Sequence, residues 1–167
     1  MRYAPAALAL SLLAAVTASV SQGAEREPDP RAMALVTEGR SELASGQLQA
    51  AVDSFEAALA VDPAHTPIYL DLAEAARRQG LQGKAIHYYR EALEREPGNL
   101  AAISGEGEAL LEKGAIEKAR RNLARLESMC GDECQETRQL ASALARRPQA
   151  SVLTAEAVTP STVVTQN

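Results

Sequence analysis

The 167-residue chain has no tryptophan, one phenylalanine and aromatics at only 3%. So few rings suit a core of closely packed helices better than a β-sandwich, and much of the 46% hydrophobic content is alanine. Cationic excess is missing too. The formal net charge is −5, and no basic stripe with interleaved aromatics runs along the chain, which argues against a general nucleic-acid binder. There is no Gly-rich phosphate loop, no His-Glu-x-x-His and no nucleophile elbow, so the sequence names no catalytic residue, no cofactor and no metal set. The reading is therefore of a protein that is not an enzyme. Past the N-terminal segment 1–24, no apolar run is long enough to span a bilayer.

What the chain does have is a period. Gly46, Gly80 and Gly114 are evenly spaced, and the same interval separates Ala51, Ala85 and Ala119, then Phe55, Tyr89 and Leu123, and the pair Pro63 and Pro97. Self-similarity at one fixed spacing indicates stacked repeats. Segments 32–65, 66–99 and 100–133 each read as a helix, a Gly turn, a second helix and a breaker. Apolar or small residues share one face of each first helix: Leu35, Gly39 and Leu43; Tyr69, Leu72, Ala73 and Ala76; Ile103, Gly107 and Leu110. Gly39, Ala73 and Gly107 let backbones approach, and Phe55, Tyr89 and Leu123 fill the space beside them. The turn glycines reach positive φ without a Cβ clash. The prolines stop the second helices.

These residues resemble the tetratricopeptide repeat family. Repeat two matches best, with Tyr69, Leu72, Ala73, Gly80, Ala85, Tyr89, Ala92 and Pro97. Repeat one departs at Glu38, and repeat three at Glu106 and Gly131, where the family has Leu, Leu and Pro. The third first helix is thus expected to pack less well, and its partner to end differently. The resemblance implies an all-α, right-handed superhelical stack of three helix hairpins. Residues 135–147, with Leu140, Ala143 and Leu144 at helical spacing, read as a capping helix over the last repeat.

The ends are of different composition. Residues 1–24 carry Arg2, an apolar stretch over 4–20 and small residues after it, and read as a secretory signal peptide. An uncleaved N-terminal anchor is the alternative. Residues 25–31 form a leader. Residues 148–167 read as a flexible tail, or as a strand that adds to a partner's sheet edge. Export makes the chain periplasmic or secreted.

Cys130 and Cys134 are the only cysteines. An even count in an exported chain favours a disulfide, which needs Cα atoms roughly 4.4–6.8 Å apart. A turn at Gly131 would satisfy that. A redox-active pair and a copper site with Met129 as a soft neighbour are the other readings. His65 and His87 lie in earlier repeats and have no visible link to the cysteines.

The family resemblance also implies that the first helices line a concave groove. It places there Met33, Val36, Thr37, Arg40 and Ala44; Leu70, Asp71, Glu74, Arg77 and Arg78; and Ala101, Ser104, Gly105, Glu108 and Glu112. The small residues of the third set would widen the floor. Arg40, Arg77 and Arg78 would offer donors to a partner carboxylate, unless these charges pair among themselves. Glu108 and Glu112, four apart, read as a mild repulsion. The Lys/Asn/Arg clamp of chaperone-tail domains is not reproduced at Val36, Arg40, Asp71, Ala101 and Gly105. The expected function is a scaffold for a protein or peptide partner; the alternative is a thiol carrier for copper or disulfide exchange using Cys130 and Cys134. The sequence does not set the oligomeric state.

Overall fold

The computed structural model describes residues 27–146, so the signal peptide, the start of the leader, residue 147 and the tail lie outside the described residues. Within them, seven helices follow in order: α1 Pro30–Ala44, α2 Leu48–Val61, α3 Pro67–Arg78, α4 Gln82–Arg95, α5 Leu100–Glu112, α6 Ile116–Cys130 and α7 Gln135–Arg146. Pro30 and Arg31, read as the end of the leader, already belong to α1. Among the described residues there is no strand. Each helix packs against its neighbour in sequence, and the first helices of successive repeats also adjoin, α1 to α3, α3 to α5 and α5 to α7. The result is an all-α solenoid.

The turns repeat as the sequence does. Gly46, Gly80 and Gly114 have φ of +81°, +76° and +88°. In each case the following residue donates back five positions, Gln47 to Glu42, Leu81 to Ala76 and Ala115 to Leu110. This six-to-one closure satisfies helix-end carbonyls and needs the left-handed residue that glycine supplies. Helices α2 and α4 stop just before Pro63 and Pro97. Helix α6, lacking that proline, runs on to Cys130 and ends at Gly131, φ +79°. Asp29 caps α1 by accepting the Arg31 amide at 2.8 Å, and Asn99 caps α5 by accepting that of Ala102 at 2.9 Å.

The core runs along the stack in three clusters. The first centres on Phe55, Ile68 and Leu72, the second on Tyr69, Tyr89 and Leu110, the third on Ile103, Leu126 and Leu140. At Gly39 a Cβ would lie 2.6 Å from Phe55 Cε1, so glycine here permits the ring to sit on the α1 backbone. The pairing expected between Gly107 and Leu123 is corrected. The side chain against Gly107 is Leu140 of α7, whose Cδ2 would lie 2.5 Å from an added Cβ. Leu140 stands one period after Glu106 and two after Leu72, so α7 occupies the register of a fourth first helix. Its polar side, with Gln135, Arg138 and Ser142, is exposed, as a solenoid end requires.

Repeat three is not the less well packed helix that its departures suggested. Residues Ala102 to Leu111 are all buried. Glu106, in place of the family Leu, accepts from Arg90 Nε at 2.7 Å and from Asn122 Nδ2 at 3.0 Å, and Asn122 also donates to the Ile103 carbonyl at 3.1 Å. A buried carboxylate is costly unless paired. Here α4 and α6 supply the partners, and the mismatch becomes a polar clasp across three helices.

Candidate partner-binding groove

Helices α1, α3, α5 and α7 lie side by side, and polar side chains on this face join each to the next. Arg40 reaches from α1 to Asp71 on α3 with two parallel bonds, Nε to Oδ1 at 3.0 Å and Nη2 to Oδ2 at 2.8 Å. Arg78 returns the contact, donating to the Leu43 carbonyl at 3.2 Å while its Nε meets Glu74 at 2.8 Å. Arg77 spans α3 to α5. It meets Glu108 at 2.8 Å, Glu112 at 2.6 Å and its own-helix neighbour Glu74 at 3.1 Å. Gln139 of α7 then donates to Glu108 at 2.6 Å.

The three arginines expected as donors to a partner are thus each engaged by carboxylates of the chain itself. Glu108 and Glu112 do not simply repel, because one guanidinium from the neighbouring repeat sits between them. Burial opposes the charge on Arg77, but its bond to Glu112 and the neighbouring Tyr89, Glu108 and Glu112 outweigh that, and its pKa is raised. Hydrogen bonding to Asp71 likewise raises that of Arg40. Burial pushes the Tyr89 phenol up to about 12, against the opposing pull of Arg77.

Two clefts open on this face and share Arg77. One, of about 210 Å³, is lined by Glu74, Arg77, Tyr89, Ala101, Ser104, Gly105, Gln135, Glu136 and Gln139. The other, of about 260 Å³, is lined by Arg77, Glu108, Leu111, Glu112, Ala143 and Arg146. The small residues at 101, 104 and 105 do form a floor, but a narrower one than expected. Ser104 is buried and donates to the Glu136 carbonyl at 3.2 Å, and the Tyr89 ring fills the space where a Gly105 Cβ would point. Glu108 is buried under α7. Leu70 is half-buried against the second core cluster, and Val36 is not in the groove at all but in the first cluster.

Sequence reasoning missed the far wall. Gln135, Glu136, Gln139, Ala143 and Arg146 all come from α7, which had been read only as a cap. Advancing Ala101 and Gly105 by one period gives Gln135 and Gln139, so the repeat held the signal.

Cys130 and Cys134 form a disulfide, with Cα atoms 5.9 Å apart, between the last residue of α6 and the residue before α7. Thr137, buried in the first turn of α7, places its hydroxyl 3.5 Å from the Cys130 sulfur and 2.9 Å from that of Cys134. His87 is exposed beside Tyr88, and neither histidine lines these two clefts. No described helix is long and apolar enough to cross a membrane.

Two family profiles, both described as tetratricopeptide repeat, match residues 36–99 and 83–129. Together they span more than half of the chain. No curated protein matches. Among solved structures, the first tetratricopeptide domain of Spaghetti (RPAP3), bound to the HSP90 peptide SRMEEVD, is 21% identical, covers 69% of this chain and 94% of its own, and superposes with a TM-score of 0.60. The Sgt2 domain from Aspergillus fumigatus is 23% identical over 70% of this chain and 78% of its own, TM-score 0.63. The Yersinia enterocolitica type III secretion chaperone SycD, in complex with a peptide of the translocator YopD, is 20% identical over 68% and 86%, TM-score 0.59. At these identities the likeness is one of fold.

Proposed function

The chain belongs to the tetratricopeptide repeat family, and on that premise we propose that it is a non-enzymatic scaffold that holds a protein or peptide partner in its first-helix groove. The observation that carries this reading is the pair of adjoining clefts that share Arg77 and run from α3 to α7. Their walls are polar and their floor is of small residues, which suits an extended segment or a partner helix laid across the first helices. Spaghetti and SycD, with the same fold, hold peptides. We further propose that the chain is exported, to the periplasm or beyond, and serves the assembly of an envelope or secreted complex. The apolar N-terminal segment and the disulfide support export.

The alternative of a thiol carrier is the weaker one. For copper, both sulfurs are spent on each other and a disulfide offers a soft metal no thiolate; for exchange, the pair has three intervening residues where the usual redox motif has two.

Ala101 gives the test, because it is exposed on the floor of the first cleft and belongs to none of the three core clusters. A photo-cross-linking residue at this position, activated in intact cells and followed by mass spectrometry, should capture a discrete partner. The Ala101→Trp variant should fold normally and fail to retain that partner in a pull-down. Undiminished retention by the filled groove would remove this face from the interface.

A further inference from the structure

A third cleft, of about 330 Å³, lies away from the groove and shares no lining residue with it. It sits where α4, the end of α5 and the start of α6 meet. Ile86, Leu110 and Ala115 make an apolar floor, and Arg90, Lys113 and Lys118 stand around it. Arg90 is turned to the buried carboxylate of Glu106. Lys113 and Lys118 are exposed, and among the described residues neither forms an ion pair. The chain as a whole carries −5, so two uncompensated ammonium groups at one apolar recess run against the general balance.

The repeat supplies its own comparison. Moving one period back from this cleft gives Val52, Glu56, Ala76, Gln79, Leu81 and Lys84. There an acid replaces Arg90, a neutral amide replaces Lys113, and the one lysine is matched by that acid, Lys84 Nζ to Glu56 Oε1 at 3.5 Å. The same junction therefore occurs twice with one backbone plan, once neutralised and once cationic. Packing cannot account for the difference, because both lysine heads in the cationic copy are outside the core.

We propose that this cleft is a second docking surface, for an acidic peptide segment that carries an apolar side chain between its carboxylates. The apolar side chain covers Ile86, Leu110 and Ala115, and the flanking carboxylates meet Lys113 and Lys118. A recess between three helices admits a protruding side chain, whereas the flat surface of a bilayer meets only its rim. Charge complementarity of this kind sets partner choice and encounter rate. With two separate surfaces the scaffold bridges a groove partner and an acidic partner.

The test is fluorescence anisotropy on the full chain at low salt, with a labelled Asp-Glu-Leu-Glu-Asp peptide and its uncharged counterpart Asn-Gln-Leu-Gln-Asn. The acidic peptide should bind. The uncharged one, and the Lys113→Glu, Lys118→Glu double variant, should each show affinity lower by about tenfold or more, as close charge pairs at interfaces do. Lys113→Gln, Lys118→Gln should fall between. Capture at the groove through position 101 should be unchanged in both variants, with circular dichroism reporting the fold. Equal binding of the two peptides, equal binding by the variants, or no binding of the acidic peptide would each overturn the proposal. So would lysine-dependent binding to phosphatidylglycerol vesicles without peptide binding, which would make the partner a lipid surface.

Discussion

Arg77→Met isolates the contact on which the groove depends. The substitution keeps the length of the stem but removes a guanidinium that meets Glu108, Glu112 and Glu74 within 3.1 Å. The side chains of Arg77 and Glu108 are only 18% and 11% exposed, so their pair is close to a buried one; Glu74 and Glu112, at 35% and 37%, are better screened. Removing one partner of a fully buried pair costs about 3–5 kcal/mol, whereas a screened pair contributes about 0–1 kcal/mol. The variant should therefore lose about 3 kcal/mol, most of it through Glu108, which keeps Gln139 but loses its guanidinium partner. For a domain of this size that corresponds to a Tm lower by about 10 °C. Urea unfolding followed by circular dichroism measures the loss. The decisive comparison is Arg77→Met, Glu108→Gln, which removes the stranded charge and should recover at least about 1 kcal/mol relative to the single variant. A loss under about 1 kcal/mol for Arg77→Met, or no recovery in the double variant, would show that this cluster is solvated surface and not a joint between repeats.

Gly39→Ala and Gly107→Ala should both destabilise although each adds one methyl to give a better helix former. The first places it 2.6 Å from the fully buried Phe55 ring and should cost about 2 kcal/mol; the second meets both methyls of Leu140, at 2.5 and 2.9 Å, in an equally buried site and should cost about 1–2 kcal/mol in the same urea titration. Tyr89 makes a prediction about alkaline pH. Its phenol is held at about 12 against an ordinary 10.0, so between these values the unfolded chain releases a proton that the folded one keeps. Stability must fall as pH rises through that window, and Tyr89→Phe should flatten the decline and remove a phenolate absorbance that develops near pH 12.

How far the sequence carried depends on the range of the interaction. Gly46, Gly80, Gly114, Pro63 and Pro97 act on their own backbones, so the period placed six helices and their turns without reference to anything distant. The inter-repeat joints are different. Arg40 pairs with Asp71, and Arg77 with Glu108, each across nearly a whole repeat. Over such a span pairing is defined only once the first helices lie side by side. Local spacing rules read Glu108 and Glu112 as a repulsion because the cation between them belongs to the previous repeat. Glu106 looked like a defect for a similar reason, its partners Arg90 and Asn122 lying 16 residues away on either side. The far wall of the groove was missed because the register was followed for three copies and not a fourth.

A solenoid is held together by nearest-neighbour contacts, so a terminal element has fewer of them than an interior one and opens more readily. Among the described residues α7 stands at the C-terminal end of the stack, packed on α5 and α6. The Cys130–Cys134 bond ties the residue before its first turn to the last residue of α6, which fixes the junction between the two helices locally. The α7 side chains that wall the groove, Gln135, Glu136 and Gln139, thus stand directly after a covalently closed joint, so their placement over α5 follows the direction in which α6 ends.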